Sequence, residues 1–228
     1  MENLPAYIKV VFILTTILTI FLFYHATRRS FFTLIILFSW LAFQTFVGLS
    51  GFYTVTDTIP PRFLLLIGPP LLFIIALFLT DRGRMYLDSL ELKNLTILHT
   101  IRIPVEIVLF WLFLYKGIPE LMTFEGRNFD IISGITAIPV YYLGFVKHQV
   151  NNKILLFWNL MCLGLLINIV LNAALSVPST IQKFAFDQPN VGVLYFPFVW
   201  LPSWVVPLVL LSHLAALRKL MQRKKSKK

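Results

Sequence analysis

Residues 98–117, LHTIRIPVEIVLFWLFLYKG, combine a membrane-spanning composition with charges that a bilayer disfavours. The second half is apolar enough to cross a bilayer as a helix, but the first half carries His99, Arg102 and Glu106. These three positions have the spacing i, i+3, i+7 and therefore share one face of a helix. A charged side chain at the bilayer centre costs roughly 2.5–3.5 kcal/mol on insertion scales. This face must therefore contact protein or a water-filled cavity rather than lipid.

The whole chain has the composition of a membrane protein. Its 228 residues are 58% hydrophobic and only 13% charged, with a mean hydropathy of +0.81. Soluble domains contain about 25% charged residues, and several runs here exceed the ~18 apolar residues that cross the hydrocarbon layer as a helix. We predict an all-α polytopic membrane protein in which residues 1–217 form a single bundle of seven transmembrane helices. The predicted spans are residues 6–25, 31–54, 63–80, 95–116, 130–147, 154–176 and 194–217, and residues 218–228 form a basic tail.

Lys and Arg residues are unevenly distributed between alternate loops. The loops after spans 1, 3 and 5 and the tail contain two, three, two and seven of them. The opposite side has five, with six acidic residues beside them. The positive-inside rule then predicts a cytoplasmic tail and, with seven spans, an N-terminus outside. We expect the tail to contact anionic lipid head groups rather than nucleic acid, and the membrane to be a bacterial plasma (inner) membrane.

Arg102 and Glu106 are four residues apart and can pair within one helix. In one interpretation the Arg102 side chain extends to the cytoplasmic interface and Glu106 only neutralises it. In the favoured interpretation both side chains line a polar cavity, because Glu106 lies some eleven residues inside the predicted span.

Polar residues on other spans are candidate partners for this face. Span 5 offers Ser133, and span 6 offers Asn159 and the pair Asn168 and Asn172, which share a helical face. Buried amides also serve simply to join helices, and that interpretation stays open. The predicted cavity residues are His99, Arg102, Glu106, Gln44, Asn168 and Asn172.

The outer loop before span 5 is a second concentration of polar residues. Asn128 or Asp130 is expected to cap the helix that follows. The carboxylates of this loop are alternatively suited to binding a cation or to shaping the mouth of a cavity. The predicted residues of this outer loop are Glu125, Arg127, Asn128 and Asp130.

Three functions are compatible with these patterns. We favour a transporter or permease for a small solute or ion, with Glu106 responding to a proton or cation and Arg102 as its counter-charge or as an anion-binding group. A second hypothesis is a membrane-embedded enzyme or redox protein in which His99 and His213 hold a metal or haem. No local ligand spacing supports such a site, so we expect no cofactor. A third is a seven-helix sensor or assembly subunit. The substrate and the oligomeric state are not indicated.

Overall fold

The structure, a computed structural model, describes residues 4–225 of the chain, and side chains as far as residue 222. Within that range the secondary structure is entirely helical, which confirms the predicted all-α class. The helices are α1 (Ala6–Ala26), α2 (Phe31–Leu49), α3 (Leu64–Leu79), α4 (Asp81–Ser89), α5 (Leu92–Leu98), α6 (Arg102–Leu114), α7 (Ile131–Tyr141), α8 (Asn152–Ala174) and α9 (Val206–Lys225). A single 3₁₀ turn, His99–Ile101, joins α5 to α6, and π-helical turns extend α7 to Val146 and begin the last helix at Leu201.

All seven predicted apolar runs coincide with helices, but the helices differ in length. Five are long and apolar enough to cross a membrane, namely α1, α2, the α5–α6 unit, α8 and the unit ending in α9. Helices α3 and α4 together make a sixth candidate, but α4 turns away from α3 by 95°. Helix α7 with its π turn, Ile131–Val146, is shorter. The described residues thus show five candidate spans, or six with the bent pair, and the count of seven remains a prediction.

Several predicted boundaries differ from the structure. The predicted second span ends at residue 54, whereas α2 ends at Leu49. The predicted fourth span begins at residue 95, whereas the helix already begins at Leu92, directly after the surface helix α4. The predicted seventh span begins at residue 194, whereas the helix begins at Leu201. Residues Gly192–Leu194 form a 3₁₀ turn instead, and Pro197 lies between that turn and the helix. Proline removes a backbone donor, so an apolar run that contains it need not continue as a helix.

The last helix is the centre of the bundle. In the most apolar 18-residue stretch of Leu201–Gln222, 67% is buried, whereas the corresponding value for α2 at the periphery is 22%. Helix α9 packs against α8, α5, α3 and α4, so His213 in its middle is fully buried. A residue on this helix can therefore meet side chains from several others.

A close approach places the start of α7 beside the start of α6. A Cβ atom added at Gly134 would lie 2.8 Å from the Ile103 side chain and 3.0 Å from the Ile103 backbone nitrogen. Because Gly134 has no side chain, α7 packs directly on the Arg102 turn. Asp130, the residue before α7, is thereby brought next to Arg102 inside the bundle.

A polar contact holds the end of α9 against α4. Arg218 donates hydrogen bonds of 2.8 and 2.9 Å to the two carboxylate oxygens of Asp88, and Lys219 donates to the Asp88 carbonyl at 2.6 Å. The bond from Arg218 is the main reason that the pKa of Asp88 lies below its usual value. The first two residues of the predicted basic tail are therefore held by protein. The expectation that the tail binds lipid concerns mainly residues 223–228, whose side chains lie outside the described part of the chain.

Replacing Gly134 with alanine should destabilise the protein. Overpacking of this kind typically costs about 1–3 kcal/mol, which exceeds the ~0.5–1 kcal/mol that alanine gains over glycine within a helix. The measurement is the thermal unfolding midpoint in detergent. Gly164→Ala on α8 is the matched control, because a Cβ added there meets no atom within 4 Å. It should leave the midpoint unchanged or raise it. If both variants shift the unfolding midpoint equally, the close contact between α6 and α7 does not contribute to stability as described.

Candidate functional site

Arg102 points into the bundle. Its side chain is 3% exposed, and its Nη1 atom lies 2.9 Å from Oδ1 of Asp130. Nη1 also donates to the Cys162 carbonyl on α8 at 3.4 Å. The interpretation in which Arg102 extends to the membrane interface is therefore wrong. The proposed pairing within the helix is also wrong, because the ion-pair partner of Arg102 is Asp130 rather than Glu106.

Glu106 is bound by an asparagine instead of the arginine. The Nδ2 atom of Asn128 lies 2.7 Å from each oxygen of the Glu106 carboxyl and 3.0 Å from the Met122 carbonyl. The Oδ1 atom of Asn128 accepts a 3.0 Å hydrogen bond from the backbone nitrogen of Asp130. Asn128 thus links the two acidic residues. The expected capping of α7 does not occur, since Asp130 stands at the N-cap without a side-chain capping bond and its carboxylate faces Arg102.

The hydrogen bonds of His213 assign its protons. Its Nε2 lies 3.0 Å from Nη2 of Arg102, and its Nδ1 lies 3.0 Å from Oδ1 of Asn159. A guanidinium group only donates, so Nε2 is the acceptor and Nδ1 carries the proton. Asn159 agrees with this assignment, because its Nδ2 donates to the Leu155 carbonyl at 2.9 Å and leaves Oδ1 to accept. His213 is therefore a neutral imidazole with one defined tautomer.

His99 stacks on His213 within the same buried region. The two ring centroids are 3.8 Å apart with an angle of 13° between the planes, and Trp158 meets His99 edge-on at 5.6 Å. Neither ring nitrogen of His99, which is fully buried, has a hydrogen-bond partner among the described residues.

This arrangement does not suit the metal or haem that His99 and His213 were proposed to hold. Histidine binds a metal through a ring nitrogen, and both nitrogens of His213 are already engaged. Over residues 4–225, no group of three or more His, Cys, Asp or Glu side chains is placed to hold a metal.

These contacts form one connected set that we call the central polar cluster. It joins α6, the segment before α7, α8 and α9, and every member is almost completely buried. It contains two carboxyl groups and one guanidinium, and His213 is neutral. The members are Arg102, Glu106, Asn128, Asp130, Asn159 and His213, with His99 stacked on the last.

Three amides predicted to line the cavity lie elsewhere. Gln44 is buried on α2 and accepts a 2.8 Å hydrogen bond from the Tyr53 hydroxyl. Asn168 donates to the Arg127 carbonyl at 2.8 Å, and Asn172 donates to the Asn168 carbonyl at 2.9 Å. Gln44 and Asn168 thus join neighbouring segments, as the alternative interpretation of buried amides holds, whereas both hydrogen bonds of Asn172 stay within α8.

The predicted outer-loop residues are divided between the surface and the interior. Asn128 and Asp130 belong to the central polar cluster, whereas Glu125 and Arg127 are exposed. The Arg127 guanidinium lies 5.8 Å from the centre of the Phe184 ring. The irregular segment 117–130 is thus not a simple surface loop, because it carries two buried polar residues into the bundle.

A cavity of about 80 Å³ adjoins the cluster, and we call it the Glu106 cavity. Its polar lining side chains are Glu106, Asp130 and Asn190, and its other lining residues are apolar. Asn190 is fully buried; its Nδ2 donates to the Ala173 carbonyl at 3.1 Å, while its Oδ1 has no partner among the described residues. Sequence reasoning missed Asn190, because a single asparagine in a long loop has no spacing pattern that signals burial.

Residues 59–221 match the model of the family described as Domain of unknown function (DUF8737). The chain belongs to this family. The matched range contains every residue of the central polar cluster and the Glu106 cavity, whereas α1 and α2 precede it. No curated protein and no solved structure matches the chain.

Replacing Asp130 with asparagine should cost roughly 3–5 kcal/mol of stability, since it leaves the Arg102 charge buried without its partner. The double variant Arg102→Met/Asp130→Asn should recover much of that loss. The measurement is a double-mutant cycle of unfolding midpoints in detergent.

Glu106→Gln is the matched control, because the new amide oxygen can still accept from Asn128. It should cost less than Asp130→Asn. If Glu106→Gln is the more damaging change and Arg102→Met rescues it, then Arg102 pairs with Glu106 and the ion pair described above is wrong.

Proposed function

We propose that this protein is a seven-span membrane transporter for a small solute or ion, located in a bacterial plasma membrane. Five long apolar helices support the membrane location. The excess of Lys and Arg in alternate loops and in the tail supports an N-terminus outside and a cytoplasmic C-terminus. In this arrangement the short helix α7 crosses with its π turn as the fifth span, and α3 crosses before the chain turns into α4.

The observation that carries the proposal is the unequal number of charges in the central polar cluster. Two carboxyl groups, Glu106 and Asp130, face one guanidinium, and the nearby His213 is neutral. If both carboxyl groups are ionised, the cluster has one negative charge in excess. An uncompensated charge inside a low-dielectric region is strongly unfavourable, so the cluster must take up one positive charge to be neutral.

A proton or a bound cation can supply that charge, but the two together would leave the cluster positively charged. A site that holds either a proton or a cation, but not both, exchanges the two. Such exchange is the chemical basis of coupled transport. Glu106 is the exchanging group in this proposal, because Asp130 is already neutralised by Arg102. Glu106 also lines the cavity beside the cluster, and unlike Asp130 it forms no ion pair with Arg102, so it is the carboxyl whose charge a solute can balance. Arg102 remains charged and orients Asp130 and His213.

The test is the current that flows when protons enter the site. Purified protein is reconstituted into liposomes on a solid-supported membrane, and the pH outside is stepped downward. We expect a transient inward current from the wild type, because protons move to a buried carboxyl. Glu106→Gln should reduce that current at least tenfold without loss of folded protein.

Asn168→Ala is the control variant. Asn168 is a polar residue of α8 that binds the Arg127 carbonyl outside the cluster, so its removal should leave the current intact. Absence of current in the wild type, or an equal current in Glu106→Gln, would refute charge uptake at Glu106.

A further inference from the structure

We infer that the Glu106 cavity binds a small primary ammonium ion, R–NH₃⁺ with a one- or two-carbon R group. This inference names the solute class of the proposed transport function and rests on it. Three features of the cavity support it: the hydrogen-bonding character of its polar groups, the net charge beside it, and its size and apolar walls.

The polar side chains that line the cavity all present acceptors to it. Asn190 is oriented by the bond from its Nδ2 to the Ala173 carbonyl, so the group left without a partner is the acceptor Oδ1. Glu106 accepts only from Asn128, and an ionised carboxylate has about four lone-pair positions. An unsatisfied buried acceptor typically costs about 1–3 kcal/mol, so the cavity favours a ligand that donates hydrogen bonds.

The charge beside the cavity selects a cationic donor over a neutral one. Arg102 is within 2.9 Å of Asp130 and neutralises it, but it forms no such ion pair with Glu106. A cationic ligand would complete the neutralisation by binding ionised Glu106. Protonation of Glu106 removes this attraction, so protons and the ligand compete for one site. This competition is the exchange that coupled transport requires.

The number of acceptors distinguishes an ammonium group from a metal cation. A primary ammonium has three N–H donors, which match the oxygens of Glu106, Asp130 and Asn190. Hard metal cations such as Ca²⁺ or Mg²⁺ require about six or more oxygen ligands, and apolar side chains make up the rest of this cavity. Those apolar walls suit a short alkyl group, whose burial is favourable by roughly 25 cal/mol per Å².

The volume of about 80 Å³ limits the size of the ligand. A cavity needs about 10–15 Å³ of such volume to hold one water molecule, so this one has room for a ligand of a few heavy atoms. Methylammonium and ethylammonium are of this size. Phe63 from the beginning of α3 and Leu201 and Pro202 from the beginning of the last helix form part of the wall. The ligand would therefore enter from the end of the bundle opposite the basic tail.

The test uses methylammonium chloride with the purified full-length chain in detergent, measured by isothermal titration calorimetry at pH 7. We expect saturable binding of one methylammonium per chain, with an affinity that falls as the pH is lowered. Tetramethylammonium, which has no N–H donor, and K⁺ should bind at least tenfold more weakly. This comparison uses only the wild type, so it does not depend on the folding of a variant.

Asn190→Leu should weaken methylammonium binding at least tenfold. Asn172→Leu is the matched control, because Asn172 is also a buried amide and its side chain binds Asn168 outside the cavity. Undetectable methylammonium binding, equal binding of K⁺, or unchanged affinity in folded Asn190→Leu would each overturn the inference.

Failure of this inference is distinguishable from failure of the transport function. A pH-step current without methylammonium binding would leave proton uptake at Glu106 intact and refute only the ammonium site. Methylammonium binding without a pH-step current would support the ammonium site and refute transport.

Discussion

The buried ion pair between Arg102 and Asp130 is the interaction on which the rest of the interior depends. An arginine whose side chain is 3% exposed needs a carboxylate partner, hydrogen-bond acceptors and close packing at the same time. Asp130 supplies the charge, and His213 accepts at a second nitrogen. Meeting these needs requires α7 to begin beside Arg102, which the absence of a side chain at Gly134 permits. The packing of α6, α7 and α9 is therefore linked to the placement of a single charge.

The connections within the cluster also separate two kinds of acidic residue. Both line the Glu106 cavity, but Asp130 has a cationic partner and is part of the framework, whereas the side chain that binds Glu106 is an amide. Two carboxyl groups in one cluster are thus given different roles by their neighbours. Such a division is expected where one group must hold the fold while the other changes its charge.

Most of the fold was predictable from the sequence, but only part of the candidate site was. Long apolar runs specify helices because the bilayer requires internally bonded backbone, so all seven runs coincide with helices. The inward face of Arg102 and Glu106 followed from spacing alone. The pairing of Arg102 with Asp130 instead of Glu106 did not. It depends on where α7 begins relative to α6, which is set by the contact of Gly134 with Ile103. Asn190 was missed because its burial also depends on tertiary structure, namely the path of a loop.

The irregular segment 117–130 has a consequence for the position of the Glu106 carboxyl. Its backbone is held by local bonds such as the one from Asn128 N to Thr123 O at 3.1 Å. Asn128 lies on this segment and binds both oxygens of Glu106. The Glu106 carboxyl is thus positioned by two parts of the chain, its own helix α6 and a non-helical segment.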